Sequence, residues 1–281
     1  MNDLVFRTLG SGSCGNMSVA RCGSTTILID IGLKSQRMIR DRLDEAGIDV
    51  MGITAALVSH SHWDHVSYPG VKFCMDRGIP ILGQLDTLNK ATEVFIANAG
   101  RMPDHGTLQL IRPAQRLVIK DIDVSTFAVS HDVPTVGFVL RPAGMEFPKI
   151  TVATDVGEAG DDLVGHFIDS DAIFIESNYN EQLLRNSNRG VMDRARVKSG
   201  VGHLCNDDAG RFIGRVYNLS ARKPASVTLV HLSQDHNTPD HALADFMQAS
   251  GLAAEALCVR AAPREAVGTE VRLALGPHRR L

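Results

Sequence analysis

The stretch Ile53-Thr54-Ala55-Ala56-Leu57-Val58-Ser59 followed by His60-Ser61-His62-Trp63-Asp64-His65 decides how this chain is read. A short apolar run, strand-like over Ala55 to Val58, ends in three imidazoles and a carboxylate within six residues. In an extended segment alternate side chains share a side, so His60 and His62 can reach one metal ion at ~2.0 to 2.1 Å. Once the chain turns, Asp64 and His65 can reach a second. Imidazole with carboxylate suits zinc, manganese or iron, and the lack of thiolates in the motif argues against a purely structural zinc site. Without such a use, so many protonatable groups would be costly to hold together. The pattern points to an open catalytic site.

Other strand-like runs end in polar residues in the same way. Asp30 closes TTILID, His131 follows VSTFAVS, Asp155 follows KITVAT, Glu176 closes DAIFIE and His231 follows SVTLV. Polar residues at strand ends lie on a sheet edge, where loops converge on a cleft, so five or six of these ends are expected to share one rim. Strands are expected at Leu4 to Leu9, Thr25 to Ile29, Ala55 to Val58, Val124 to Val129, Val136 to Leu140, Ile150 to Ala153, Ala172 to Ile175 and Val227 to Val230. Helical patterns run over Ser35 to Ala46, Val66 to Arg77, Asp86 to Ala99, Asp162 to Asp169, Asp207 to Leu219 and Pro239 to Gly251. Meanders mixed with crossovers, and helices that must cover two outer faces, give a four-layer αββα sandwich of two mixed sheets in the α/β class. No repeat, low-complexity run or long linker divides the chain, so residues 1–281 read as a single domain.

Composition narrows the function classes. Of 281 residues 44% are hydrophobic and 22% charged, which excludes a disordered or fibrous chain. The net charge of −3 gives no global attraction to polyanions. No stretch approaches the ~18 apolar residues of a membrane span, and the start has no signal-peptide pattern, so a soluble, cytoplasmic protein without a membrane partner is expected. Five scattered cysteines without a CxxC read as reduced thiols. Between Glu181 and Lys223 nine basic residues face four acidic ones, a local +5 against −8 elsewhere, which reads either as a basic rim for a phosphate backbone or as a solvated helical face. One tryptophan and three tyrosines argue against extended base stacking.

The H-x-H-x-D-H pattern over His60 to His65 resembles the signature of the metallo-β-lactamase superfamily. The resemblance implies two divalent metal ions, zinc or manganese with iron a further choice. His60, His62 and His131 would take the first, Asp64, His65 and His231 the second, and Asp155 would bridge them. His203 competes with His231, while His105, His166, His236 and His241 are weaker candidates. Asp30 would orient a ligand by hydrogen bonding, or else cap the next helix.

LGSGSCGN, TTILIDIGL, SHDVPTVGF, TDVG, IESNYN, GHLCND and VHLSQDHN occur in the order seen in the YycJ/WalJ-like branch, and the similarity runs from about Leu9 to Asn237. That branch implies a phosphodiesterase or nuclease, 5′ to 3′ exonuclease-like on DNA, with nucleic acid or another phosphodiester as partner. Asp64 and His203 would be the catalytic pair, His203 protonating the leaving oxygen or stabilising developing charge. The glycine-rich Gly10 to Asn16, through Ser11, Gly12, Ser13 and Asn16, would cradle phosphate together with Asn206, although a tight hairpin turn explains that loop equally well. A glyoxalase-II-like thioester or lactone hydrolase, a small-molecule cyclic phosphodiesterase and a metal-filled binding module are the alternatives. Oligomerisation leaves no mark in the sequence.

Overall fold

The structure, a computed structural model, describes residues 3–275, the side chain of His105 excepted. The chain begins with strands β1 (Leu4–Gly10), β2 (Met17–Cys22) and β3 (Thr25–Ile29), then helix α1 (Gln36–Glu45), β4 (Ile53–Leu57), α2 (Tyr68–Met75), β5 (Ile81–Gly83), α3 (Leu85–Ala99) and β6 (Leu108–Leu110). It continues with β7 (Arg116–Ile119), β8 (Ile122–Val129), β9 (Thr135–Pro142), β10 (Ile150–Ala153), α4 (Asp161–Phe167) and β11 (Ala172–Glu176). Helices α5 (Glu181–Arg185), α6 (Val191–Val197) and α7 (Asn206–Leu219) precede β12 (Ser226–Val230), α8 (Pro239–Ser250), β13 (Cys258–Ala261) and β14 (Val271–Leu273).

Alternation along single strands builds the layers, because successive side chains point to opposite faces. In β3, Ile27 and Ile29 enter the core between the two sheets while Leu28 joins the cluster under the helices. In β11, Ala172 and Phe174 face the inter-sheet core, and Ile173 and Ile175 the outer one. Ile39 and Leu43 of α1, Val71 and Phe73 of α2, and Ala91 and Phe95 of α3 cover the first sheet. Leu163 and Phe167 of α4, Phe212 and Ile213 of α7 and Phe246 of α8 cover the second. This is the expected αββα sandwich. The sheets run β14-β1-β2-β3-β4-β5-β6 and β13-β12-β11-β10-β9-β8-β7, each of seven strands. Strands β3 to β6 and β10 to β13 pair in parallel, so their C-terminal ends open on the same edge. No helix among the described residues is long and apolar enough to cross a membrane.

Strands β2, β5, β6 and β7 are not among those expected from the sequence, and two further parts of the chain also went unread. The tail after Leu252 supplies an edge strand to each sheet, β13 beside β12 and β14 beside β1. Beyond β13 it also buttresses the glycine-rich loop, where the Arg264 carbonyl accepts from Ser11 N–H at 3.1 Å. The segment from Glu181 to Val197 forms two short helices rather than a plain connection.

Candidate metal centre

Asp30, the His60 to His65 segment, His131, Asp155, Glu176 and His231 all meet at the edge to which β3, β4, β8, β10, β11 and β12 lead. Asp30, Asp155 and His231 have φ of 61°, 52° and 57°. Non-glycine residues enter this left-handed region at a cost of about 1–3 kcal/mol, and such costs collect where a backbone must leave a strand and aim a polar group inward. After β4 the chain coils, with His65 N–H and Val66 N–H both donating to the His62 carbonyl at 3.0 and 2.8 Å, which folds Asp64 and His65 back beneath His60.

Three groups result, each with its candidate ligand atoms within 4.8 Å of one another: the two clusters His60, His62, His131 and Asp155, and Asp64, His65 and His231, and, overlapping both, Asp155, Glu176, His203 and His231. Asp155 stands between the two clusters. Its Oδ1 lies 4.0 Å from His60 Nε2 and 3.8 Å from His131 Nε2, whereas Oδ2 lies 3.0 Å from His65 Nε2. In the second cluster, Asp64 Oδ2 is 3.3 Å from His231 Nε2 and 3.7 Å from His65 Nε2.

Hydrogen bonding decides which ring nitrogens are free to ligate. A carboxylate or carbonyl only accepts, so the nitrogen facing it carries the proton. His65 Nδ1 donates to Asp30 Oδ2 at 2.8 Å, His131 Nδ1 to the Gly202 carbonyl at 3.0 Å and His231 Nδ1 to Glu176 Oε1 at 2.7 Å. Ser59 Oγ donates to Asp30 Oδ1 at 2.9 Å and therefore accepts from His60 Nδ1 at 3.0 Å. His62 Nε2 faces Asp132 Oδ1 at 3.2 Å. Each of these five rings thereby turns its second nitrogen into the clusters, where His65 Nε2 lies 3.0 Å from Asp155 Oδ2 and His231 Nε2 3.3 Å from Asp64 Oδ2, contacts that call for a proton or a cation between them. His60 Nε2 and Asp155 Oδ2 are buried without a hydrogen-bond partner. Orphaned buried atoms of this kind are costly unless a cation meets them, so the donor set fits divalent metal.

With no cation to balance the carboxylates, protons would take that role. Burial works against charge on His65, yet Asp155, Asp30 and Asp64 hold its pKa well above the ordinary value. Burial likewise works against charge on His231, but Asp155, Asp64 and Glu176 together push it up to about 10. His60, buried beside three other imidazoles, falls well below the usual range.

Glu176 is the residue whose role the sequence did not disclose, although its place at a strand end was the available signal. It is fully buried. Its Oε1 accepts from His203 Nδ1 at 2.9 Å as well as from His231, and Oε2 accepts from the N–H groups of Val156 at 2.6 Å and Leu204 at 3.1 Å. Burial disfavours charge on His203, but Glu176, by charge and hydrogen bond, and Asp155 raise its pKa. His203 is thus held by its Nδ1, leaving Nε2 as its second proton site, and His231 rather than His203 completes the cluster with Asp64 and His65. Ser59 was likewise missed.

Several expectations do not fit this geometry. The N–H groups of Ser11, Gly12, Gly15 and Asn16 already donate to Arg264 O, Asn16 Oδ1, Gly12 O and Asp64 O, so the glycine-rich loop is not an open anion cradle at those positions. It braces the cluster instead, with Ser11 Oγ accepting from His231 N–H at 2.9 Å and Asn16 Nδ2 lying 2.9 Å from His65 Nε2. Ser13 is exposed and makes none of these bracing contacts. Asn206 is buried in an amide network with Asn237, Ser177 and Asp245, which removes it from phosphate contact. The local basic excess is offset from outside its own segment: Arg189 pairs with Asp235, Arg196 with Asp132, Arg215 with Asp161 and Arg222 with Asp171. His166 stacks on Phe127, His241 meets the capping Thr238, and His236 is buried near Ser233, all apart from the clusters; the side chain of His105 lies outside the described residues.

Residues 25–232 match the family model of the beta-lactamase superfamily domain. The chain is 29% identical over 234 residues to exodeoxyribonuclease YycJ of Bacillus anthracis, covering 83% of this chain and 84% of that one. It is 27% identical over 249 residues to exodeoxyribonuclease WalJ of Streptococcus pneumoniae, with 84% and 85% covered. Among solved structures, zinc-bound PqqB of Methylobacterium extorquens superposes with a TM-score of 0.66 at 15% identity over 95% and 99% of the two chains, a likeness of fold.

Proposed function

The chain belongs to the metallo-β-lactamase superfamily, and on that premise we propose that it is a metal-dependent phosphodiesterase acting on nucleic acid, exonuclease-like from the 5′ end of DNA. It would work as one hydrolase domain in the cytoplasm. The observation that carries the reading is the His203–Glu176 pair set against the two clusters, because a proton donor fixed by a buried carboxylate suits departure of an alkoxide from phosphorus. Hydrolysis of a thioester or an activated lactone has less need of such a donor. The names of the two curated relatives, both exodeoxyribonucleases, support the same substrate class.

His60, His62 and His131 would hold one divalent cation and Asp64, His65 and His231 another, with Asp155 reaching both; zinc or manganese suits this donor set, and iron also. When bound, such cations supply an activated water and a clamp on the phosphate oxygens. The chain does the rest. Asp30 keeps His65 in the ligating tautomer directly and His60 through Ser59. Glu176 does the same for His231 and keeps a proton on His203, whose Nε2 gives it to the leaving oxygen. The buried walls limit bulk water at the cluster to the side on which His62 and Asp64 open.

The test is cleavage of 5′-labelled duplex DNA, single-stranded RNA and bis-p-nitrophenyl phosphate, with a thioester as control and manganese or zinc added. Metal-dependent release of 5′ nucleotides from DNA, absent in Asp64→Ala, is the expected result. Turnover of the small diester alone moves the protein to small-molecule phosphodiesterases, and turnover of the thioester alone overturns the reading.

A further inference from the structure

Arg196, near the end of α6, is tied to the centre from two sides. Its backbone is held against that of His203. The Val197 carbonyl accepts from His203 N–H at 2.9 Å, and the carbonyls of Gly200 and Gly202 accept from Ser130 Oγ at 2.7 Å and His131 Nδ1 at 3.0 Å. The chain runs so close there that a Cβ at Gly202 would lie 2.2 Å from the Arg196 carbonyl oxygen. The Arg196 side chain reaches Asp132, with Nη1 donating to Oδ2 at 2.5 Å. The other oxygen of that carboxylate, Oδ1, lies 3.2 Å from His62 Nε2 and 3.3 Å from His131 Nε2. The guanidinium is thus one carboxylate away from two residues of the first cluster.

The centre opens on this same side. His60, His65, Asp155, Glu176 and His231 are 0–3% exposed at their side chains, whereas His62 is 30%, Asp132 28%, His203 15% and Arg196 57% exposed. A phosphodiester entering past them meets the negative charge of Asp132, which Arg196 offsets. Stability does not account for the pair, since an exposed ion pair contributes little to a fold. Nor does Asp132 exhaust the guanidinium. It has five N–H donors, and apart from the one given to Asp132 none meets an acceptor among the described residues.

We propose that Arg196 binds substrate: its open N–H groups take a phosphate oxygen of the strand entering the centre, while Asp132 holds the guanidinium at the opening. The proposal rests on the phosphodiesterase reading of the site. A planar guanidinium can give one edge to a carboxylate and another to a phosphate, with a geometry an ammonium lacks. Such a contact positions the strand without reading its bases, so it serves every sequence alike.

The test compares metal-loaded wild type, Arg196→Ala, Asp132→Asn and the double variant. Cleavage of labelled single-stranded DNA gives kcat and KM, and fluorescence anisotropy gives the Kd for a phosphorothioate strand that resists cleavage, each over a range of salt. Metal content is measured by mass spectrometry. An asparagine oxygen at position 132 can still accept from His62 Nε2, but the charge that Arg196 offsets is gone. The proposal expects KM and Kd to rise about 10- to 100-fold in Arg196→Ala, with kcat and metal content near wild type. The slope of log affinity against log salt should fall by about 0.7, one phosphate contact on a single strand. The double variant should keep the loss of affinity relative to Asp132→Asn. Restored affinity in the double variant overturns the proposal, because Arg196 would then act only by cancelling Asp132. Metal lost along with affinity also overturns it, as support of the centre would explain both. Unchanged KM, Kd and salt slope in Arg196→Ala overturn it while leaving the phosphodiesterase reading intact, and a wild type that neither binds nor cleaves the strands overturns both.

Discussion

Replacing Glu176 by glutamine tests the account at its most connected residue. The carboxylate accepts four hydrogen bonds, from His203 and His231 on Oε1 and from Val156 and Leu204 N–H on Oε2. A glutamine amide has one accepting oxygen and one donating NH2 group. Whichever way it is set, the NH2 faces two donors, either the two imidazole N–H groups or the two backbone N–H groups. Hydrogen bonds to a charged group are worth about 1.5–3 kcal/mol each, so roughly 3–6 kcal/mol of local support is lost. A fold of this size, stable by about 5–15 kcal/mol, survives that loss in the middle of the range but becomes less stable. Two functional losses follow by separate routes. Freed from Glu176, His231 can turn or change tautomer, which costs about 10- to 100-fold in metal affinity. His203 loses the partner that raises its pKa and fixes its ring, so turnover at saturating metal falls by about 10²- to 10⁴-fold. The assay is a metal titration of Glu176→Gln followed by rates on labelled DNA at saturating metal, with circular dichroism to verify the fold. A folded variant whose metal affinity and turnover both stay within about threefold of wild type refutes the reasoning.

Other consequences are simpler. His203→Ala should lower phosphodiester turnover by about 10²- to 10⁴-fold while metal content by mass spectrometry stays at the wild-type level, and equal loss of metal would make His203 a ligand. Asp30→Asn should cost about 10- to 100-fold in metal affinity, since an amide cannot accept from Ser59 N–H, Ser59 Oγ and His65 Nδ1 together; unchanged affinity in a metal titration counts against the relay. Gly32→Ala would place a Cβ 1.7 Å from the Asp64 carbonyl oxygen, and denaturant unfolding should show a loss of about 1–3 kcal/mol or more together with weaker metal binding. Burial, with Arg141 nearby, lowers the Lys149 pKa from 10.5 to about 8. Between those two pH values the unfolded chain binds the proton and the folded one does not, so stability should rise by up to about 3 kcal/mol as pH climbs through that window. Lys149→Met should flatten the rise, and an unchanged pH profile would exclude the lysine as its source.

The residues of the two clusters could be picked out because their signals are local: strand, then polar end, repeated along the chain. Most of the longer strands were equally plain, since β-branched runs such as Thr25–Ile29 and Ile150–Ala153 sit between clear breaks, whereas β2, Met17–Cys22, has one β-branched residue in six and went unread. Short strands such as β5 and the edge strands β6, β13 and β14 carry three or four residues each, too few to show a period, and pairing with a neighbour makes them strands. The loop at Gly10 to Asn16 has the composition of an anion cradle, yet where its N–H groups point depends on Arg264 and Asp64, distant in sequence. Asn206 similarly heads a helix, but Asn237 and Asp245 draw it inward. The basic run from Glu181 to Lys223 lost much of its excess to carboxylates that the fold brings in from Asp132, Asp161, Asp171 and Asp235. Glu176 could be placed at the rim from sequence, but its sharing between two histidines arises from three separate strand and loop ends meeting.

The most direct test of the centre itself is anomalous scattering from crystals grown with manganese. The account predicts two peaks about 3.5–4 Å apart, one among His60, His62 and His131, the other among Asp64, His65 and His231, with Asp155 between them. A single peak, or a cation bound by Glu176 and His203, would contradict it.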